Sequence, residues 1–182
     1  VTLTNAFGCS TSATTSVKVN ASKLYVNDNA SGLNDGTSWA NAFTSLDSAL
    51  TYIKCAVDTV WVAGGQYFPS LDPLGNATPT DNRNKTFYLK SGQKIFGGFA
   101  GTETLLSQRT SAVINANPSI LSGDVNGSYN TNDDAYHVLL SINDDNETLL
   151  NGFTITSGNA TGFGNLEVDS KTIKKNTGAG LY

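Results

Sequence analysis

Apolar residues fall at Phe43, Leu46, Leu50, Ile53 and Val57, in steps of three, four, three and four. That spacing holds them on one face of a helix, so "FTSLDSALTYI" (residues 43–53) is predicted helical. Thr44, with Asp47 three residues on, supplies an N-cap. Asp47, Ser48, Thr51 and Lys54 are then expected on the outward face. Elsewhere the pattern shortens. "LYV", "DTVWVAGGQYF", "TFYLKSG", "QKIFGGFAG", "AVINAN", "SILSGD", "YHVLLSI" and "ETLLNGFTITSG" are short apolar runs that end in, contain or are followed by Gly or Asn. They predict short strands separated by turns. Residues 69–85, "PSLDPLGNATPTDNRNK", hold three of the four prolines and no apolar period, which predicts a surface excursion.

Composition sharpens this picture. Twelve Asp stand against three Glu, with twenty Asn, 18 Gly and 22 Thr. Asp, Asn and Gly favour turns and Thr favours strands, as in an extracellular all-β protein. A net charge of −4 without a basic cluster argues against nucleic acid as a partner. No apolar run is long enough for a membrane-spanning helix, so direct membrane insertion is not expected. The chain begins at Val1 and contains no Met, which suggests a piece of a larger protein beside neighbouring domains.

Residues 1–20 alternate apolar and polar positions on either side of "NAFGCS", which predicts a hairpin. Two strands cannot bury a core alone. "FGCSTSATTSVKV" resembles the end of the immunoglobulin-like modules that recur in bacterial surface proteins. The expected boundary therefore lies between residues 1–20, the tail of such a module or a linker, and residues 21–182.

The stretches "YVNDNASGLNDGTSWANAFTSLDSAL", "DTVWVAGGQYFP", "FYLKSGQKIFGGFAGTETLLSQR", "DDAYHVLL", "LLNGFTITSGNATG" and "GAGLY" follow one another across residues 24–182. In order and spacing they resemble the N-terminal part of bacterial right-handed parallel β-helix proteins, loosely related to pectate lyases and polymorphic outer-membrane proteins. The resemblance implies an all-β fold, a right-handed parallel β-helix (solenoid) with one N-terminal capping α-helix, interrupted in mid-coil. It also implies secretion and a place on the bacterial cell surface. In such a fold Phe43, Leu46, Leu50 and Ile53 would plug the first open coil, with Trp39 and Trp61 at the edges of the helix. Burying those four side chains is worth about 6–10 kcal/mol.

Candidate chemistry is sparse. "GDVNGSYNTNDDAYHV" (123–138) offers Asp124, Asn126, Asn130, Asp133 and Asp134 as oxygen ligands for Ca²⁺, the one cofactor the sequence suggests. Counted from Asp124, position twelve is Ala135, which excludes an EF-hand closure; the alternative is a loop of Asx-turns. Asp28, Asn34 and Asp35 form a weaker set. His137, the single histidine, lies beside Asp133 and Asp134, yet extended neighbours point apart and do not make a hydrolase pair. Lys90, Lys94 and Arg109 match no lyase pattern, so no catalytic residue is assigned. Cys9 and Cys55 could pair with each other, or Cys9 could pair within its own module. Tyr67, Phe68, Tyr88, Phe96, Phe99 and Tyr129 are aromatics that could stack on sugars, though core or edge packing also accounts for them. Two functions follow from the residues and the resemblance. The first is a non-catalytic adhesin or stalk segment contacting a polysaccharide or cell-surface glycan. The alternative is the N-terminal part of a polysaccharide lyase or glycoside hydrolase with its active site on later coils.

Overall fold

Four short strands pair in parallel to form the largest sheet: β3 (Leu24–Val26), β4 (Thr59–Ala63), β7 (Lys94–Phe99) and β10 (Leu149–Asn151), in the order β10-β7-β4-β3. The structure is a computed structural model that describes residues 2–4, 10–12, 23–53, 59–128, 130–144 and 147–182. A second parallel sheet runs β11-β8-β5, from β5 (Gly65–Tyr67), β8 (Ser119–Ser122) and β11 (Phe153–Thr156). A third pairs β6 (Phe87–Leu89) with β9 (Leu139–Ser141), and Leu181 adds a parallel bridge to Leu139. Two antiparallel pairs complete the set. One joins β1 (Thr2–Thr4) to β2 (Ser10–Ser12); the other joins β12 (Asn165–Val168) to β13 (Lys171–Lys174).

The expected all-β, right-handed parallel β-helix is therefore corrected. The described chain is a mixed α/β fold with parallel sheets of four, three and two strands, two short helices and antiparallel hairpins, and it is not an evident solenoid. The physical reason lies in the connections. Parallel neighbours need crossovers, and here these are unequal and carry structure of their own. One of them contains α2 (Ser111–Ala116), where the run "AVINAN" predicted a strand. Thr110 caps α2 by accepting from the Val113 amide at 3.4 Å, and that bond favours a helical turn over extension.

Strand parity decides what is buried. In β4, Val60 and Val62 point into the core while Trp61 points to the other face of the sheet, as two-residue alternation requires. The inward residues of all three sheets join one cluster that includes Leu24, Val26, Val60, Phe87, Ile95 and Leu121. Outward, Tyr25, Trp39, Trp61 and Phe99 form a second aromatic layer, with Trp61 stacked on Phe99 at 4.6 Å. The two tryptophans thus pack on the four-stranded sheet and not at the edges of the first helix.

That helix, α1 (Leu46–Tyr52), is shorter than the apolar period predicts. Phe43 lies outside it, in a parallel bridge to Val26. Thr44 is not its cap: Ser45 occupies the N-cap position without a side-chain bond, and the Thr44 amide donates to Asn34 Oδ1. α1 packs against β3 and β6, each at the edge of its sheet, and places Leu46, Ala49 and Leu50 in the core with Phe43. Ile53 is half-buried against the same cluster. The largest revision concerns Asp47. Expected outward, it is only 4% exposed.

Candidate functional site

Segment 66–75 runs beside α1, and the contact between them is polar. Asp47 Oδ2 accepts from the Ser70 amide at 2.5 Å and from the Ser70 hydroxyl at 2.8 Å. This clasp ties the helix to the stretch that follows β5. Asp72 then organises the turn that follows: its Oδ1 accepts from the amides of Leu74 and Asn76, and its Oδ2 accepts from Asn76 Nδ2. This is the bonding that makes Asx residues turn formers.

A groove follows from this geometry, with one hollow on each side of the clasp. The larger, about 310 Å³, is lined by Thr44, Ser45, Ser48, Gln66, Phe68 and Ser70 among others. Its polar lining consists of hydroxyls and one amide, and Phe68 is 43% exposed beside them. The smaller, about 140 Å³, has the apolar residues Leu50, Leu71, Pro73 and Leu74 together with Asp47, Asp72, Thr86, Tyr88 and Lys90. Burial pushes the Asp47 carboxyl up from 3.8 to about 6, overcoming the opposing bonds from Ser70. Tyr88 donates its hydroxyl to Asp169 Oδ2 at 2.5 Å, and burial with that carboxylate raises its pKa. Asp169 and Ser170 both have positive φ in the two-residue turn between β12 and β13, so this bond docks the hairpin onto β6.

The candidate Ca²⁺ ligands bond to each other and to their own backbone. Asp124 Oδ1 accepts from the Ser128 amide, Asp133 from Ser128 Oγ and Asn126 Nδ2, and Asn130 Oδ1 from the Asn132 amide. Asp134 is buried, and burial with Asp124 and Asp133 nearby raises its pKa. Among the described residues, no group of three or more His, Cys, Asp or Glu is placed to hold a metal ion. In the weaker set, Asn34 accepts from Thr44, Asp35 from the Thr37 amide and hydroxyl, and Asp28 from Asn29. These are turn-forming bonds within and between loops.

The remaining candidates scatter. His137 is buried, with Nδ1 3.1 Å from the Gly178 carbonyl and its ring edge-on to Tyr182; burial lowers its pKa and favours the neutral ring. Arg109 lies across β7 and β10, bonded to Gly97 O and to Asn151. Lys94 pairs with Glu147 at 2.8 Å. Tyr67 lies in the core, Phe99 is buried in the aromatic layer on the outer face of the sheet and Phe96 is half-buried on the sheet, which leaves Phe68 as the groove's exposed ring. Cys9, Cys55 and Tyr129 lie outside the described residues, as does Lys54. Sequence reasoning missed the Asp47–Ser70 clasp and the burial of the Thr86 hydroxyl. No helix among the described residues is long and apolar enough to cross a membrane.

No protein-family model, no curated protein and no solved structure matches the chain.

Proposed function

We propose that the protein is a non-catalytic, glycan-contacting segment of a surface adhesin or stalk, and that the groove beside α1 makes the contact. One observation carries this reading: the exposed ring of Phe68 is bordered by the hydroxyls of Thr44, Ser45, Ser48 and Ser70 and by the Gln66 amide. A sugar ring offers a C–H face that an aromatic can cover and hydroxyls that both donate and accept, so it matches such a lining. A charged ligand would find little there to pair with. The turn-rich composition of low charge suits a protein outside the cell.

Hydrolysis would need two carboxyl groups on opposite sides of a glycosidic bond. In the groove, Asp47 Oδ2 is engaged by Ser70, and both oxygens of Asp72 are engaged by its turn. Binding without cleavage fits this better. The test is affinity electrophoresis of the protein on a panel of neutral and acidic polysaccharides, with released reducing ends and unsaturated products measured in parallel. Retardation without products supports the proposal; product release overturns it.

A further inference from the structure

Two Asn-Gly pairs occur in the chain, Asn126–Gly127 and Asn151–Gly152. In such a pair the backbone nitrogen of the glycine can attack the side-chain carbonyl carbon of the asparagine, because the glycine has no Cβ to block the approach. The fold treats the two pairs differently. Asn126 and Gly127 are exposed, in the loop between β8 and β9. The Gly127 amide donates to Asp124 O at 3.3 Å, longer than a well-made backbone bond, and a Cβ placed on Gly127 would meet nothing within 4 Å. The Asn126 carboxamide is tethered as lightly, with Nδ2 3.3 Å from Asp133 Oδ2. Asn151, by contrast, sits in β10 opposite Phe96 of β7. Its Oδ1 accepts from Arg109 Nη2 at 2.8 Å, and its backbone O accepts from the same nitrogen at 3.1 Å.

We propose that Asn126 is a modification site at which the chain deamidates itself, and that the product loosens the loop around Asp133. The Gly127 nitrogen bonds to Asn126 Cγ as the Cγ–Nδ2 bond breaks. The side-chain nitrogen takes the proton that the Gly127 amide gives up and leaves as ammonia. Water then opens the cyclic imide at either carbonyl, to aspartate or isoaspartate, with no oxidant or reductant. Aspartate puts a carboxylate where Nδ2 now donates to Asp133, so two like charges face each other in a loop that also carries Asp124 and Asp134. The Arg109 clamp keeps Asn151 from the same fate, because its carboxamide must first leave a charged donor.

The test ages the whole chain in mildly alkaline buffer, folded and in urea, and follows its peptides by mass spectrometry that separates asparagine, aspartate and isoaspartate. Asn126 should convert as fast in the folded protein as in urea. Asn151 should convert at least about tenfold more slowly when folded, since a bond to a charged donor must break first. Protection of Asn126 by folding, or folded Asn151 reacting as fast as Asn126, would overturn the site. Asn126→Gln, whose longer side chain does not close the same ring, should remove the early ammonia release; its persistence would place the reaction elsewhere and overturn the site. Asn126→Asp imitates the product. Protease cleavage within 124–133 should quicken in it, and more at low salt than at high, because screening weakens repulsion between exposed charges. Cleavage at the unaltered rate would overturn the loosening of the loop.

Discussion

Ser70 gives both its amide and its hydroxyl to one oxygen of Asp47, across 23 residues of sequence and from a position just beyond the end of β5. This pair fixes the distance between α1 and the wall of the groove. It also places a carboxyl group in a buried position, with an energetic consequence.

The Asp47 carboxyl stands at about 6 in the fold, against 3.8 ordinarily. A raised carboxyl pKa means that the native state holds its proton longer than the unfolded chain. The associated stability is complete below pH 3.8 and is lost as pH rises to 6, a change of about 3 kcal/mol. Asp47→Asn keeps an acceptor for Ser70 and removes the titration. Subtracting its denaturation profile from that of the unaltered protein should leave a descending step between those two pH values. A flat difference would show that Asp47 is solvated.

Removing the Ser70 hydroxyl tests the clasp from its other side. Ser70→Ala retains the backbone bond and loses the 2.8 Å bond to a buried carboxylate, which should cost about 1.5–3 kcal/mol in urea denaturation. Amide exchange should quicken first in segment 66–75, ahead of β4 and β7.

Arg83 joins the proline-rich excursion to the later loops. Its Nε donates to Asp134 O at 2.7 Å, its Nη2 donates to Asn159 O, and its guanidinium lies 4.1 Å from the centre of the Tyr136 ring. Lys cannot reproduce that fork. Arg83→Lys should therefore lose about 1–3 kcal/mol and open the 124–135 loop to proteolysis. Equal cleavage rates in the two proteins would refute the role.

Gly152 stands at the corner between β10 and β11 with φ of +81°, and a Cβ there would fall 2.8 Å from Gly97 O and closer still to Arg109. Gly152→Ala should cost about 1–3 kcal/mol through left-handed strain and the displaced arginine. Thermal denaturation measures it.

Part of this was legible in the chain. The run "DTVWVAGGQYF" predicts the strand that carries Val60 and Val62 into the core, and the three-four spacing gives Leu46 and Leu50 to it as well. The same short apolar runs, however, arise whether the links between parallel strands are uniform turns or unequal excursions, so they could not check the solenoid that the resemblance implies. In α2 the only large apolar residues are Val113 and Ile114, adjacent and β-branched, a pair that reads as strand, whereas Thr110 is the informative signal. Asp47 was assigned outward because its reason for burial, Ser70, lies on another segment. Phe68 was visible as an aromatic candidate, but its exposure was not. Thr86 carried no local signal, because a threonine in a strand-like run is ordinary and only tertiary packing orphans its hydroxyl.

The central claim is that the face beside α1 is the one that meets a ligand. Its most direct measurement is amide chemical-shift mapping with an oligosaccharide from whichever polysaccharide retards the protein. Perturbations are predicted to gather at Ser48, Phe68, Ser70 and Leu74. Shifts confined to Tyr25, Trp39 and Phe96, on the outer face of the four-stranded sheet, would contradict it.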